Sequence, residues 1–469
     1  MKLCKRLTNF ACCVAAAIFC AFALSGCGLL PAGSGGGAGN GDKAVITVAM
    51  LSSEKKSFER LEKAFEETHS DVDVRINVYT SYETAMTNYV RNDNWADIVW
   101  TAGDQHAGYS GAGHFLNLKD FDEADDTFDF ATSGIYPVLL ESTHHSFDDD
   151  GYWFMPRDYN IPIIFVNKSH LSRAGIDYEE LKANWNYEKF LQTCNALKSA
   201  YATSTETDED VRIGFLRSAF PLELDAVKMS NFTGILKSFG GEMFDTSASD
   251  MEAICAYRSA ESVSAYKRFY QTFYESGLVD PSDTNSSLFN KKMAGMWLAV
   301  RPEVANIPAS VDYDFLPSPF EVSGVGCGGY AITKRAAEKE FKGKKISEYC
   351  WELLKFIVSE AGQNALSESG LLVPAISQLK NSGVWTTYGN TGSVTRNHTA
   401  FTDFGGDIVG LNDSKLFAPA YNISVDKELV SLVTYCIQYG GGNFETDFAA
   451  KANEVFGRMK NYKLAGANA

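Results

Sequence analysis

The sequence predicts an α/β fold with at least two domains. Short β-branched runs alternate with stretches whose apolar residues recur at helical spacing, a pattern typical of alternating strands and helices. After a glycine-rich stretch that ends near Lys43, about 425 of the 469 residues remain, more than one hydrophobic core usually holds. No long uncharged apolar stretch follows Lys43, so we expect this body of the chain to be soluble.

The first elements of the body follow one another in a regular order. Residues 45–50 form a β-branched run, then Phe58, Leu61 and Phe65 recur at helical spacing, and strand character returns over residues 72–78. The alternation continues with a helical stripe over 85–90 and a strand over 97–100. This βαβαβ order predicts a parallel sheet.

Further elements are predicted downstream by the same criteria. The apolar patterns indicate strands over 161–166 and 293–300, a long amphipathic helix over 254–273, a glycine-rich turn over 324–329 leading into a strand at 330–333, and a periodic helix over 346–357.

The N-terminus has the composition of an export leader. An apolar run from residue 10 to residue 24 follows three basic residues, Lys2, Lys5 and Arg6. The run ends in the letters LSGC at Cys27, which resemble the lipobox where bacterial signal peptidase cuts and the cysteine receives lipid. We therefore expect residues 1–26 to be a lipoprotein signal peptide and Cys27 to be the lipidation site.

A transmembrane anchor is the alternative interpretation of this leader. Such a helix needs about 20 apolar residues and a stop-transfer pattern, whereas small residues and the glycine-rich stretch 31–42 follow here. Glycine-rich chains behave as flexible coils. Residues 27–43 are therefore expected to tether the body to the extracytoplasmic face of the cell membrane without fixing its orientation.

The charge balance is strongly acidic. The chain has 42 Lys and Arg against 59 Asp and Glu, a formal net charge of −17, and loss of the leader removes three of the basic residues. Binding to phosphate backbones or to anionic lipid needs clustered Lys and Arg. We therefore expect no nucleic-acid partner, and the membrane contact is expected to come from the lipid anchor alone.

Five cysteines of the body show neither a CxxC pair nor the Cys/His spacing of a metal site: Cys194, Cys255, Cys327, Cys350 and Cys436. We interpret them as small buried apolar residues, with disulfides as the alternative. The seven histidines show no HExxH pattern, and residues 324–329 do not form GxGxxG before a helix. No metal and no cofactor are therefore expected.

Four segments, in this order, resemble the family 1 extracellular solute-binding proteins, the maltose-binding-protein-like group of ABC-importer substrate-binding lipoproteins. They are residues 46–104, where a strand, helix, strand and helix lead to NDNWADIVW; residues 151–168, with GYWFMP and IFVNK; residues 289–300, with FNKKMAGMWL; and residues 356–375, with FIVSEAGQNAL and LLVPA. One departure is that Trp95 and Ala96 stand where the family usually has Ala-Pro. Together the four segments span nearly all of the body.

The resemblance implies a two-lobed, type II periplasmic-binding-protein-like fold, in which each lobe is a mainly parallel sheet flanked by helices and the ligand lies in the cleft between lobes. Lobe closure around hinge residues would then capture the ligand. We expect an N-terminal lobe of residues 44–155 and 333–385, a C-terminal lobe of 163–325 and 386–469, and hinge crossings at 156–162 and 326–332. The resemblance also implies a monomer without enzymatic activity that delivers a small molecule, expected to be a sugar, to ABC importer permease subunits.

Candidate ligand-binding residues follow the ends of the predicted strands, because ligands of open parallel sheets bind beyond the carboxyl ends of their strands. The candidates are Ser52, Ser53, Asp104, Asp158, Tyr159, Asn160, Arg301, Gly328, Trp385 and Tyr388. Asp104 takes the position of a sugar-contacting acid in the family, with a solvated loop acid or helix cap as the alternative. Tyr159 is either a ligand contact or hinge packing.

Arg301 marks a departure from the related sugar binders. Where they place a stacking tryptophan, this chain has Val300, Arg301 and Pro302. This difference argues against maltodextrin specificity and would suit an anionic ligand. Trp385 and Tyr388 remain candidates for aromatic contacts in the cleft.

Two further functions stay open at this point. A binding protein for a polyamine, peptide or anion would share the fold and the export signal. A lipid-anchored glycoside hydrolase or esterase would share the acidic, aromatic-rich composition, but the sequence contains no GxSxG motif for a nucleophile.

Overall fold

The computed structural model describes residues 42–146, 149–203, 219–282, 288–390, 394–411 and 413–465. The predicted signal peptide, Cys27 and nearly all of the tether lie outside these residues. The described residues after Lys43 form one compact unit that contains two main β-sheets.

Strands and helices alternate along most of this unit. The strands are β1 (Ala44–Leu51), β2 (Val72–Tyr79), β3 (Ile98–Ala102), β4 (Met155–Pro156), β5 (Ile163–Asn167), β6 (Phe220–Leu224), β7 (Ala294–Ala299), β8 (Tyr313–Leu316), β9 (Val322–Val325), β10 (Gly328–Ile332), β11 (Glu340–Phe341), β12 (Lys344–Lys345) and β13 (Asp407–Gly410). The α-helices are α1 (Lys55–Thr68), α2 (Tyr82–Asn92), α3 (Ala107–Gly111), α4 (Lys119–Asp122), α5 (Pro137–Thr143), α6 (Lys168–Arg173), α7 (Tyr178–Ala183), α8 (Tyr187–Ala202), α9 (Met229–Ser238), α10 (Met251–Ile254), α11 (Ala260–Tyr270), α12 (Lys334–Glu338), α13 (Ile346–Ile357), α14 (Glu360–Ser367), α15 (Gly383–Thr386), α16 (Asn422–Ile437) and α17 (Phe444–Met459).

The first sheet has the strand order β2-β1-β3-β10-β4. β1 pairs in parallel with both β2 and β3, which confirms the predicted βαβαβ unit. β10 returns to this sheet from much later in the chain and pairs antiparallel with β3 and β4. The carboxyl ends of β1, β2 and β3 therefore lie at one edge of the first lobe.

The second sheet has the strand order β6-β7-β5-β8. β6 and β7 are parallel, whereas β5 pairs antiparallel with both β7 and β8. Both sheets are thus mixed, and the expectation of mainly parallel sheets holds only within β1–β3 and the β6–β7 pair. The reversed strand is β10 in the first sheet and β5 in the second, and each is the strand by which the chain enters that sheet from the other lobe.

The second sheet is buried on both faces. Ile163 and Phe165 of β5 pack in the same hydrophobic cluster as the first sheet, and Ile164 and Val166 pack in a second cluster formed with the helices of the second lobe. This burial explains the continuous apolar run of β5, since a strand covered on both faces needs no polar side. All five cysteines of the body are buried free thiols in the described part of the chain, as the interpretation of small core residues expects.

The region predicted as one long helix, residues 254–273, is broken. Helix α10 ends at Ile254, and a 3₁₀ turn over Ala256–Arg258 separates it from α11. Ser259 is extended and its side chain accepts a hydrogen bond from the amide of Ser262, so it caps the start of α11. A π-helical turn, Gln271–Glu275, follows α11 directly. The apolar periodicity runs across the helix cap at Ser259, so the sequence pattern alone predicts one helix where the structure has two.

Two segments of backbone pair where the chain passes between the sheets. The amide of Arg157 donates to the carbonyl of Gly328 at 2.8 Å, and Asn160 and Gly326 exchange amide-to-carbonyl bonds of 3.2 and 2.7 Å. These segments include the crossings expected at 156–162 and 326–332, although residues 328–332 themselves form β10 of the first sheet. The exact limits of the lobes and hinges remain a prediction.

Candidate ligand-binding cleft

A cavity of about 560 Å³ lies between the two lobes. The first lobe lines it with residues from the start of α2, the turn after β3 and α3: Tyr82, Glu83, Asp104, Gln105 and Tyr109. Asp104 reaches this position because it lies two residues beyond the end of β3, at the carboxyl edge of the parallel strands where ligands of open α/β sheets bind.

The second lobe lines the opposite wall with residues from the start of α9, from the turn after β13 and from α16. They are Val227, Lys228, Met229, Ser230, Thr233, Leu411, Ile423, Asp426, Lys427, Leu429 and Val430. Helix α9 follows β6 as α2 follows β2, so both walls begin in loops that leave parallel strands. Sequence patterns gave no sign that α16, about 200 residues beyond α9, completes this wall.

Aromatic packing holds the first wall in place. The Tyr82 hydroxyl and the Thr101 hydroxyl are hydrogen-bonded at 2.8 Å. The Tyr82 ring meets Trp100 and Tyr109 edge to face, with centroids 5.7 and 6.1 Å apart, in the geometry that aromatic pairs prefer. The two tyrosines therefore present fixed surfaces to the cavity.

Among the described residues of the first lobe that line the cavity, Asp104 is one of two acids, the other being Glu83. Burial raises the pKa of the Asp104 carboxyl, and the nearby Lys415 ammonium opposes this shift. Its neighbour Gln105 also lines the cavity, and Gln105 Oε1 has no hydrogen-bond partner among the described residues. The Asp104 side chain is thus an acceptor that a ligand donor could satisfy, whereas Gln105 Oε1 is itself buried.

Lys415 lies behind this site and has only 2% of its surface exposed. Its Nζ donates to the carbonyls of Glu141 and Ser142, both at 2.9 Å, at the C-terminal end of α5. Burial lowers the pKa of Lys415 to about 7, against the opposing influence of Cys327, Asp149, Glu141 and Asp104. The second-lobe segment that carries Lys415 is therefore fastened to a helix of the first lobe. Nothing in the sequence around Lys415 indicated this role.

The predicted residues of the crossing come together, but away from the cavity lining. Arg157 forms ion pairs with Glu54 and with Asp158, the latter at 2.9 Å. Asp158 is fully buried and also accepts from the amide of Gly328 at 3.2 Å and from the Asn160 side chain. Tyr159 is 3% exposed, with its ring 4.6 Å from that of Tyr136. This cluster braces the crossing.

Arg301 is fully buried instead of facing the cavity. Its guanidinium donates to the carbonyl of Gly370 at 2.6 Å and to that of Trp385 at 3.2 Å, and it contacts His398 Nδ1 at 2.6 Å. Burial and the Arg301 charge lower the pKa of His398 to about 3, so the imidazole is neutral and accepts from Arg301. The hydrogen bonds from Arg301, which follows β7, to the carbonyls of Gly370 and Trp385 therefore connect the end of β7 to the segment after α14.

The remaining candidates also lie outside the cavity lining. Ser52 and Ser53 are exposed in the turn after β1. Tyr388 is 37% exposed, and its ring packs directly over Gly370. Among the ten candidates, only Asp104 lines the cavity, while Asp158, Tyr159, Asn160 and Gly328 form the crossing cluster.

The described residues contain neither a cluster suited to a metal ion nor a helix suited to a membrane. Within it, no group of three His, Cys, Asp or Glu residues is placed to hold a metal ion. In the same residues, no helix combines the length and the apolar character that crossing a membrane requires.

The buried amine of Lys415 predicts a specific dependence of stability on pH. Because its pKa is about 7 in the folded chain and about 10.4 when unfolded, the unfolded state binds more protons between these values. The free energy of unfolding should therefore rise by about 2 kcal/mol from pH 7 to pH 9 through this group. The rise should be absent in Lys415→Met, measured by urea unfolding at both pH values.

Lys63→Met, which removes an exposed lysine of α1, is the matched control and should keep the rise seen in the unmodified protein. An equal rise in Lys415→Met and in the control would contradict the assignment of a neutral buried amine to Lys415.

Comparisons with known proteins agree with this architecture. Residues 61–392 match the family model described as a bacterial extracellular solute-binding protein. No curated protein sequence matches the chain significantly.

Several solved structures share the fold. The ABC substrate-binding protein Lmo0181 from Listeria monocytogenes, in complex with cycloalternan, is 15% identical with a TM-score of 0.67, over 89% of this chain and 99% of that chain. The GacH receptor of Streptomyces glaucescens, unliganded and with acarbose, is 15% identical with a TM-score of 0.66, over 90% and 100%. The sugar-binding protein MalE from Xanthomonas citri is 11% identical with a TM-score of 0.65, over 89% and 98%.

At these identities the structural similarities establish the two-lobed periplasmic-binding-protein-like fold, which confirms the predicted fold class. The family match covers well over half of the chain and confirms the resemblance seen in the sequence. This chain belongs to the bacterial extracellular solute-binding protein family.

Proposed function

We propose that this chain is the substrate-binding lipoprotein of an ABC importer, and that it captures a carbohydrate between its lobes and delivers it to the permease subunits. The interlobe cavity is the observation that carries the proposal. It has the size typical of small-ligand sites, and Asp104 offers an acceptor for ligand hydroxyls.

The solved structures of similar fold support a carbohydrate as the ligand class. Cycloalternan and acarbose are bound by the Listeria and Streptomyces proteins respectively, and the Xanthomonas protein is described as sugar-binding. The cavity of this chain adds two fixed tyrosine surfaces and the Asp104 carboxylate, which suit the C–H faces and hydroxyls of a sugar.

Capture in this proposal depends on lobe closure. A ligand shifts an open–closed equilibrium only by its additional affinity for the closed form. Contacts to both cavity walls supply that additional affinity, because they form together only when the lobes approach. The permease then recognises the closed form. No catalytic step is part of this function.

The location in this proposal is the extracytoplasmic face of the cell membrane. Lipid on Cys27 anchors the chain, and the tether over residues 27–43 leaves the lobes free to meet the permease as a monomer. The family membership supports an extracytoplasmic location, and the LSGC letters support the lipid.

Replacement of Asp104 tests the binding site. A panel of mono- and oligosaccharides is first ranked by thermal shift, and the best sugar is titrated by calorimetry. Asp104→Ala should weaken its binding about 10- to 150-fold, since a hydrogen bond to a charged group contributes about 1.5 to 3 kcal/mol. The melting temperature should hardly change.

Asp71→Ala, which removes an exposed acid outside the cavity, should bind the same sugar as the unmodified protein does. Binding by Asp104→Ala within twofold of that value would remove Asp104 from the site. Failure of every sugar in the panel would contradict the carbohydrate proposal itself.

Replacement of Cys27 tests the anchor. Cys27→Ser should leave the protein as an unlipidated precursor or a secreted form, because serine offers no thiol for lipid attachment. The measurement is the fraction of protein that stays in the membrane pellet after a carbonate wash. Sugar affinity should be unchanged. Retention of the variant in the pellet would contradict lipid anchoring.

A further inference from the structure

The two walls of the interlobe cavity differ in chemistry. The first-lobe wall carries hydrogen-bonding groups, among them Glu83, Asp104 and Gln105. The second-lobe wall contributes six apolar side chains, Val227, Met229, Leu411, Ile423, Leu429 and Val430, beside the polar Lys228, Ser230, Thr233, Asp426 and Lys427, with no aromatic ring among the described residues that line it. A ligand that fills this cavity therefore meets more hydrocarbon on the second wall than on the first.

Two of these aliphatic side chains are unusually exposed. Val227 has 37% and Ile423 has 47% of its surface exposed, although both belong to the same cavity wall. Met229 and Val430 beside them are partly exposed as well. A single exposed valine on a protein surface needs no explanation, but several neighbouring aliphatic residues in one cleft indicate a surface that is covered in a functional state.

The charged residue Lys228 of this wall is paired with acids of its own lobe. Lys228 Nζ lies 3.5 Å from a carboxylate oxygen of Asp225 and 3.5 Å from one of Glu303. These pairs direct the Lys228 ammonium toward its own lobe. Lys427 is exposed on α16, next to Asp426. The wall thus combines paired charged residues with exposed aliphatic ones.

The aliphatic part of the second wall is poorly suited to a bare sugar ring. Sugar C–H faces pack best on flat aromatic surfaces, and sugar hydroxyls need hydrogen-bond partners. Branched aliphatic side chains offer neither, so hydroxyls pressed against Val227 and Ile423 would lose their water without replacement. Alkyl groups, in contrast, gain free energy when they cover such side chains.

We propose that the ligand of this cleft is an amphipathic glycoside, a sugar that carries an aliphatic aglycone. The sugar hydroxyls donate to Asp104 on the first wall, beside Gln105. The aglycone covers Val227 and Ile423 on the second wall. This inference rests on the proposed function and narrows its substrate class.

The test compares methyl and butyl glycosides with the same sugar. Methyl and butyl β-glucosides, β-galactosides and β-maltosides are titrated into the mature protein by calorimetry, below their micelle concentrations. Each buried methylene should raise affinity about fourfold, the equivalent of about 0.8 kcal/mol. For at least one sugar, the butyl glycoside should therefore bind about 50-fold more tightly than the methyl glycoside.

Matched variants locate the effect. In the double variant Val227→Ser/Ile423→Ser the ratio of butyl to methyl glycoside affinity, both measured on that variant, should fall close to one, because the hydrocarbon that the butyl chain covers is removed. Val384→Ser, a valine 36% exposed outside the cavity lining, should keep the full advantage. A circular-dichroism melt of each variant reports whether its fold is intact.

The remaining outcomes separate this inference from the proposed function. Equal affinity of methyl and butyl forms for every sugar that binds would overturn the amphipathic ligand and leave the carbohydrate proposal standing. Butanol binding as tightly as the butyl glycosides would also overturn it, because the sugar would then contribute nothing. Binding of spermidine in place of every sugar and glycoside would overturn both.

Discussion

The paired crossing between the two lobes is the constraint on which the rest of the structure depends. Backbone hydrogen bonds connect residues 157–160 with residues 326–328. Gly329 allows its backbone to approach that of Met155 closely, since a Cβ at this position would lie 2.2 Å from the Met155 carbonyl oxygen. The buried Asp158 adds a bond to the Gly328 amide. With the crossing fixed in this way, the loops after β3 and β6 face one another across a cavity.

Buried charges reinforce this arrangement around the crossing. Arg157 is paired with Glu54 and Asp158, which is the condition under which a buried charge is tolerated. Lys415 is stabilised in another way. Burial lowers its pKa to about 7, and two backbone carbonyls accept hydrogen bonds from its amine. Because Lys415 belongs to the second lobe and α5 to the first, the contact must change if the lobes separate.

The sequence was most informative where local pattern decides the structure. Alternating β-branched and helical stripes predicted β1–α1–β2–α2–β3, and Asp104 was placed at the ligand site because it follows a parallel strand. The same reasoning put Ser52 and Ser53 near the ligand, but the turn after β1 lies outside the cavity lining. The positions of strand ends therefore limit the residues that can line the cavity, but they do not determine which of the loops reach it.

The rest depended on contacts between residues far apart in the chain. Ile423 and Val430 line the cavity because α16 packs against α11, against which α9 also packs, and no local sequence pattern indicates this packing. Arg301 looked like a ligand contact because it is a cation after a strand. Its partners at Gly370, Trp385 and His398 come from a segment that no motif linked to it.

Capture of the ligand by lobe closure is the central claim, and small-angle X-ray scattering of the mature protein tests it most directly. The measurement compares the radius of gyration without ligand and with a saturating concentration of the tightest-binding sugar or glycoside, whose binding is established by calorimetry. The account predicts a smaller radius of gyration with ligand, because the two walls approach each other around it. An unchanged scattering curve with the ligand bound would contradict closure.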